Sequence, residues 1–233
     1  MTSLLASVRD LDEAQQAAAA GADLIDLKEP SAGALGGLPT TDIVDILTVL
    51  RRKWPQRSVS ATIGDFDADD HVNRLERVRA VADCGVDYVK AGIAPGPHAT
   101  AALESLAALH LSSVVIVFLA DAGIDLALVR AAAAMGFAGL MVDTGDKSTG
   151  SLLEHADPRA LEALIDVARH HGCLSGLAGS LRREDVAALR RLAPDFAGFR
   201  GALCDGDRRG RLDAGKVRDL RSALRGEPSP VRA

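Results

Sequence analysis

At 233 residues, with 48% apolar and 25% charged side chains, the chain has an ordinary globular composition and the length of one barrel or two small domains. A net charge of −5 and an isoelectric point near 5.7 argue against a nucleic-acid partner, which calls for a basic face. The longest apolar run, residues 114–120, is too short to cross a bilayer, so no membrane partner is expected and a cytoplasmic location is the default.

The amino terminus has no basic start and no long hydrophobic segment, and it reads as a first strand, Ser3 to Ser7. An alanine-rich helix follows from Leu11 to Ala20, closed by Gly21. Ala22 to Lys28 is the second strand, and Pro30 ends it. The glycine-rich stretch from Ser31 to Gly37 is a loop that either wraps an anion or is merely flexible. Thr41 to Arg52 is a helix, Ser58 to Ile63 the third strand, and Asp70 to Cys84 a helix closing on Gly85. Strand four, Val86 to Ala91, precedes a helix from Pro97 to Leu109; strand five, Ser113 to Ala120, precedes a helix from Ile124 to Met135. Strand six runs from Ala138 to Asp143, and Pro158 to His171 is helical. Strand seven, Cys173 to Ala178, leads into a helix from Arg182 to Leu192. Strand eight, Phe196 to Ala202, is followed by a last helix from Asp213 to Arg225.

Eight strands alternating with eight helices predict a single-domain (β/α)₈ TIM barrel over residues 1–225, with 226–233 as a disordered tail. A doubly wound sheet normally carries a Gly-x-Gly-x-x-Gly turn after strand one; here that turn is Val8-Arg9-Asp10. Cys84, Cys173 and Cys204 lack paired spacing, and the six histidines form no metal-binding pattern. No cofactor is therefore expected, and the thiols are expected to be inert.

Active sites in such barrels lie at the carboxyl ends of the strands. Only five of the 27 basic residues are lysines, and Lys28, Lys90 and Lys147 all sit at or just beyond the ends of strand-like runs. Arginine keeps its proton and lysine can lose it, so lysine at these places points to amine chemistry. Residues two apart on a strand share a face, which puts Asp26 with Lys28 and turns Ile25 and Leu27 the other way. Lys28, Lys90 and Asp143 come from alternate strands and are expected to face one another, with Lys147 in the loop beyond. The bland alternative is a set of rim ion pairs, Lys28 with Asp26 and Lys147 with Asp143. Loops after strands seven and eight commonly bind phosphate in this fold, which makes Gly179, Ser180, Arg200 and Gly201 substrate-binding candidates, joined by Ser7 and Thr62 on the inner strand faces. Amines beside a phosphate cradle predict a phosphorylated carbonyl substrate handled through a Schiff base.

Several segments together resemble the (5-formylfuran-3-yl)methyl phosphate synthase family: Asp26-Leu-Lys28-Glu-Pro30 with Gly33-Ala-Leu-Gly36, Ser60-Ala-Thr-Ile-Gly-Asp65, Asp87-Tyr-Val-Lys90-Ala-Gly92, Met141-Val-Asp143-Thr-Gly-Asp-Lys147, Leu177-Ala-Gly-Ser180 and Gly198-Phe-Arg-Gly-Ala-Leu-Cys204. The resemblance runs in order over nearly the whole chain. It implies a barrel enzyme that condenses two glyceraldehyde 3-phosphate molecules into a phosphorylated furan aldehyde, losing phosphate and water, for methanofuran-type cofactors. It also implies Lys28 as the Schiff-base lysine and Lys90 as proton acceptor, supported by Asp26, Asp143 and Lys147. Two other readings stay open: a different Schiff-base aldolase acting on a phosphorylated sugar, and a non-catalytic barrel that binds a phosphometabolite. A homo-oligomer is open as well.

Overall fold

A computed structural model describes residues 1–67, 70–146 and 150–227. In chain order the elements are β1 (Ser3–Val8), α1 (Leu11–Ala20), β2 (Leu24–Leu27), α2 (Thr40–Lys53), β3 (Ser58–Thr62), α3 (His71–Asp83), β4 (Tyr88–Ile93) and α4 (Ala99–Ala107). They continue with β5 (Val114–Leu119), α5 (Leu126–Ala134), β6 (Gly139–Asp143), α6 (Leu152–His155), α7 (Pro158–His171), β7 (Leu174–Leu177), α8 (Val186–Leu192), β8 (Phe196–Phe199) and α9 (Ala214–Arg225). Each strand pairs in parallel with the next, and β8 closes on β1 with Leu5 beside Gly198, so the eight strands form a closed barrel.

The alternation within each strand sorts its side chains into two cores. On β1, Leu4, Ala6 and Val8 face the helices, whereas Leu5 and Ser7 face the barrel axis. The outer core, between strands and helices, is built almost entirely from Ala, Val, Leu and Ile. The inner apolar plug is small: Leu5, Val115, Val117, Met141, Ala178 and Phe196, with Leu35 entering from the loop after β2. Above that plug the inward positions are polar, which marks the carboxyl-terminal mouth as the place where burial is given up for chemistry.

Local signals set the helix ends. Asp10 accepts from the Glu13 amide to start α1, and Gly21, at a φ of 97°, ends it in the left-handed conformation that glycine adopts without a Cβ clash. Three expectations need correction. The short helix α6 is additional; Ser151 and Glu154 form a capping box, a Ser-x-x-Glu signal that is present in the sequence. Helix α8 begins at Val186 rather than Arg182, because a 3₁₀ turn, Arg183–Asp185, precedes it and Asp185 accepts from the Arg182 amide. Strand β8 stops at Phe199, after which Gly201–Leu203 turns as 3₁₀ helix, so Arg200 and Gly201 are loop residues. Residues 228–233 of the expected tail lie outside the described residues.

Packing inside the barrel is tight where β7 meets β8. Gly176 pairs with Phe196, and a Cβ on Gly176 would stand 2.2 Å from the Phe196 ring. Gly176→Ala is therefore expected to destabilise the barrel by about 1–3 kcal/mol through overpacking, measured as a lower urea midpoint at unchanged m-value.

Candidate active site

The register of the first three strands builds the centre. Ser7 of β1 and Ser60 of β3 sit level with Asp26 of β2. Both hydroxyls donate to its carboxylate, Ser7 Oγ to Oδ2 at 2.9 Å and Ser60 Oγ to Oδ1 at 2.7 Å. Lys90, inward-facing on β4, brings its Nζ within 2.6 Å of Asp26 Oδ1. Asp26 is 1% exposed and Lys90 3%. Two charges this deep hold each other in place, since either alone would stand buried without compensation.

Lys28 lies just past the end of β2, buried, with its Nζ donating to the Ala34 carbonyl at 2.7 Å. The glycine-rich loop that supplies this carbonyl is a packed wall rather than an anion wrap. Its Gly36 carbonyl accepts from the Glu29 amide and from Thr62 Oγ1, each at 2.8 Å, and the Leu35 amide donates to the Asp65 carboxylate. A Cβ at Gly36 would meet the Glu29 carbonyl oxygen at 2.3 Å, so the turn closes only with glycine there. Thr62, expected to face the substrate, belongs to this wall in the structure. It is fully buried, lies outside the cavity lining and fastens this wall to β3.

Lys28, Lys90, Asp26, Ser7 and Asp143 line one cavity of about 320 Å³ at the barrel mouth. Asp143 ends β6, is buried and accepts from the Thr144 amide at 2.8 Å. Lys147 lies outside the described residues. Gly179, Ser180 and Gly201 line the same cavity. Gly179 and Ser180 both have positive φ, 115° and 46°, a turn that brings their backbone against the cavity; Gly201 opens a 3₁₀ turn whose first amides lack intrahelical acceptors.

Arg200 differs from expectation. Its guanidinium touches the cavity, but its donors are committed to protein: Nε to the Arg208 carbonyl, Nη1 to the Ser7 carbonyl, Nη2 to the Gly210 carbonyl, and both terminal nitrogens to Glu13. Glu13 is fully buried at the start of α1 and also accepts from the Arg9 and Leu212 amides. Arg200 is thus the fastening of the loop after β8 and not an available anion clamp. Arg182 and Arg208 line the cavity as well, and Arg208 was missed by sequence reasoning. Arg208 reaches across the mouth to the Gly33 carbonyl at 3.1 Å. Partial burial pulls its pKa below the usual guanidinium value, and the Asp143 carboxylate opposes that shift. The basic run Arg208-Arg209-Gly-Arg211 signals a cationic loop, but its three arginines are indistinguishable by sequence. Burial raises the pKa of all three cysteine thiols.

Asp26→Asn leaves the Lys90 ammonium buried without its carboxylate and is expected to cost about 3–5 kcal/mol in urea unfolding. Adding Lys90→Met should restore most of that loss, because the remaining charge leaves with its partner.

The 4-HFC-P synthase family model matches residues 4–221. The chain is 36% identical over 219 residues to the (5-formylfuran-3-yl)methyl phosphate synthase of Methanosarcina acetivorans, covering 88% of this chain and 92% of the relative. It is also 36% identical over 236 residues to the synthase of that name from Methanopyrus kandleri, covering 95% and 98%. Among solved structures, 3-hexulose-6-phosphate synthase from Salmonella typhimurium superposes with a TM-score of 0.65 at 19% identity, over 97% of this chain and 100% of that one, a likeness of fold. With sequence similarity over almost its full length, the chain belongs to the 4-HFC-P synthase family.

Proposed function

We propose that this protein condenses two molecules of glyceraldehyde 3-phosphate into (5-formylfuran-3-yl)methyl phosphate, releasing phosphate and water, through a Schiff base on Lys28. The observation that carries the reading is that two buried lysines from neighbouring parts of the mouth, Lys28 and Lys90, line one cavity with Asp143 and Arg208. Family membership supplies the product class.

In this account the Lys28 amine adds to the carbonyl carbon of the first triose phosphate, and water leaves to give an iminium. The iminium accepts the electron pair when the proton on the neighbouring carbon is removed. Lys90 takes that proton once its own has passed to Asp26 Oδ1, 2.6 Å away, with the Ser7 and Ser60 hydroxyls holding the carboxylate still. The resulting enamine forms a carbon–carbon bond to the aldehyde of the second triose, whose oxygen is protonated. Elimination of phosphate, dehydration and ring closure complete the furan, with Asp143 exchanging protons at the opposite rim, and hydrolysis of the imine frees Lys28. Lys147 is assigned to the same proton traffic by family resemblance alone. Amides of Gly179, Ser180 and Gly201, with the Arg208 guanidinium, suit a substrate phosphate, since an anion there meets several donors and one full positive charge.

Phosphate release from glyceraldehyde 3-phosphate, followed with the furan product by NMR, tests the reaction. Wild-type protein is expected to release phosphate and form the furan; Lys28→Arg should do neither, since it keeps the charge but cannot form an imine. Turnover without a furan product would favour another Schiff-base aldolase, and no turnover by wild type would favour a binding barrel. Arg208→Met is expected to raise KM about tenfold, the order expected for losing a charge-assisted contact to phosphate.

A further inference from the structure

A second polar pocket lies on the same face of the barrel, where the loops after β3 and β4 meet. It is lined by Arg74 of α3, Phe66, Gly92, Ala94 and the start of α4 at His98 and Ala99. It shares no lining residue with the catalytic cavity, and the side chain of Leu35 stands beside it. That side chain packs so closely over Gly92 that a Cβ there would stand 2.5 Å from it. Arg74 is 4% exposed, and one of its terminal nitrogens, Nη2, donates to the Asp67 carbonyl at 2.8 Å. Its Nε and Nη1 are buried without a hydrogen-bond partner, and among the described residues no carboxylate stands within ion-pair distance of it. Helix α4 begins at the same place, and its N-cap, His98, makes no side-chain capping bond.

A buried guanidinium and an uncapped helix start are both donor-only, and both are electropositive. The Asp70 carboxylate acts on Arg74 from beyond ion-pair distance and water can accept from Nε and Nη1, whereas an anion in the pocket supplies a direct acceptor and a counter-charge together. The enclosed space, about 20 Å³, admits one oxygen atom. The remainder of a larger group would emerge past Ala94 and His98, which are exposed. We propose that this pocket binds a small oxyanion of the phosphate class through Arg74 and the amino end of α4, independently of the catalytic cavity.

Equilibrium dialysis with inorganic phosphate tests this on the wild-type protein, Arg74→Met and Ala94→Glu. The first variant removes the cation while keeping much of the side-chain bulk. The second places a negative charge at the exposed lip of the pocket and leaves the core alone. Each is expected to bind one equivalent fewer than wild type, whereas Arg208→Met should retain the equivalent held at Arg74. In phosphate-free buffer Arg74→Met should also melt higher than wild type, because a buried charge with no direct ion pair among the described residues has been removed. Equal phosphate stoichiometry in wild type, Arg74→Met and Ala94→Glu would overturn the proposal and leave Arg74 bridged by water only. Should Arg74→Met fail to fold, Ala94→Glu decides alone: loss of one equivalent supports the site, and none lost overturns it.

Discussion

The buried contact between Asp26 and Lys90 is the constraint on which the mouth of the barrel depends. Side chains from β1, β3 and β4 meet at one carboxylate on β2, so the contact fixes side chains and strand register together. A carboxylate satisfied by two hydroxyls and an ammonium has little freedom to rotate, which gives Lys90 a defined position over the apolar plug. Lys28 occupies a different environment, against the Ala34 carbonyl of the loop wall. One cavity thus holds two lysines with different contacts, Lys90 against the Asp26 carboxylate and Lys28 against the Ala34 carbonyl. In the proposed chemistry that difference separates the base from the nucleophile.

The side of the cavity proposed to hold phosphate rests on a second buried ion pair. Glu13 starts α1 and Arg200 follows β8, so their bidentate contact ties the closing seam of the barrel where the first and last strands meet. Through the Arg208 and Gly210 carbonyls the same guanidinium shapes the loop from Asp205 to Arg211. Arg208 is thereby turned over the mouth, where it reaches the wall that holds Lys28. Arg208 and Lys28 are thus both bonded to carbonyls of the one loop after β2.

Much of this was legible in the sequence, and the residues show why. The two-residue spacing of Asp26 and Lys28 fixed which face they share once β2 was recognised, and the glycine stop after α1 located that helix end to the residue. Lysine scarcity drew attention to Lys28 and Lys90. Illegible were features that depend on contacts between distant segments. Arg200 reads as an anion clamp until Glu13, 187 residues away, is seen to claim it. Thr62 reads as a substrate contact until the Gly36 carbonyl is found above it. Arg208 sits among similar arginines, and only the fastening of its loop distinguishes it. The buried, half-satisfied Arg74 resembles any helical surface arginine in sequence, since burial is a property of what packs against it.

The most direct test of the account is reductive trapping: intact mass after sodium borohydride treatment with glyceraldehyde 3-phosphate, followed by peptide mapping. The account predicts one triose-phosphate adduct per chain, on the peptide carrying Lys28, and absent from Lys28→Ala. Phosphate release by the wild-type protein without any trapped adduct at Lys28 would contradict it and move the chemistry to acid–base catalysis by Lys90 and Asp143.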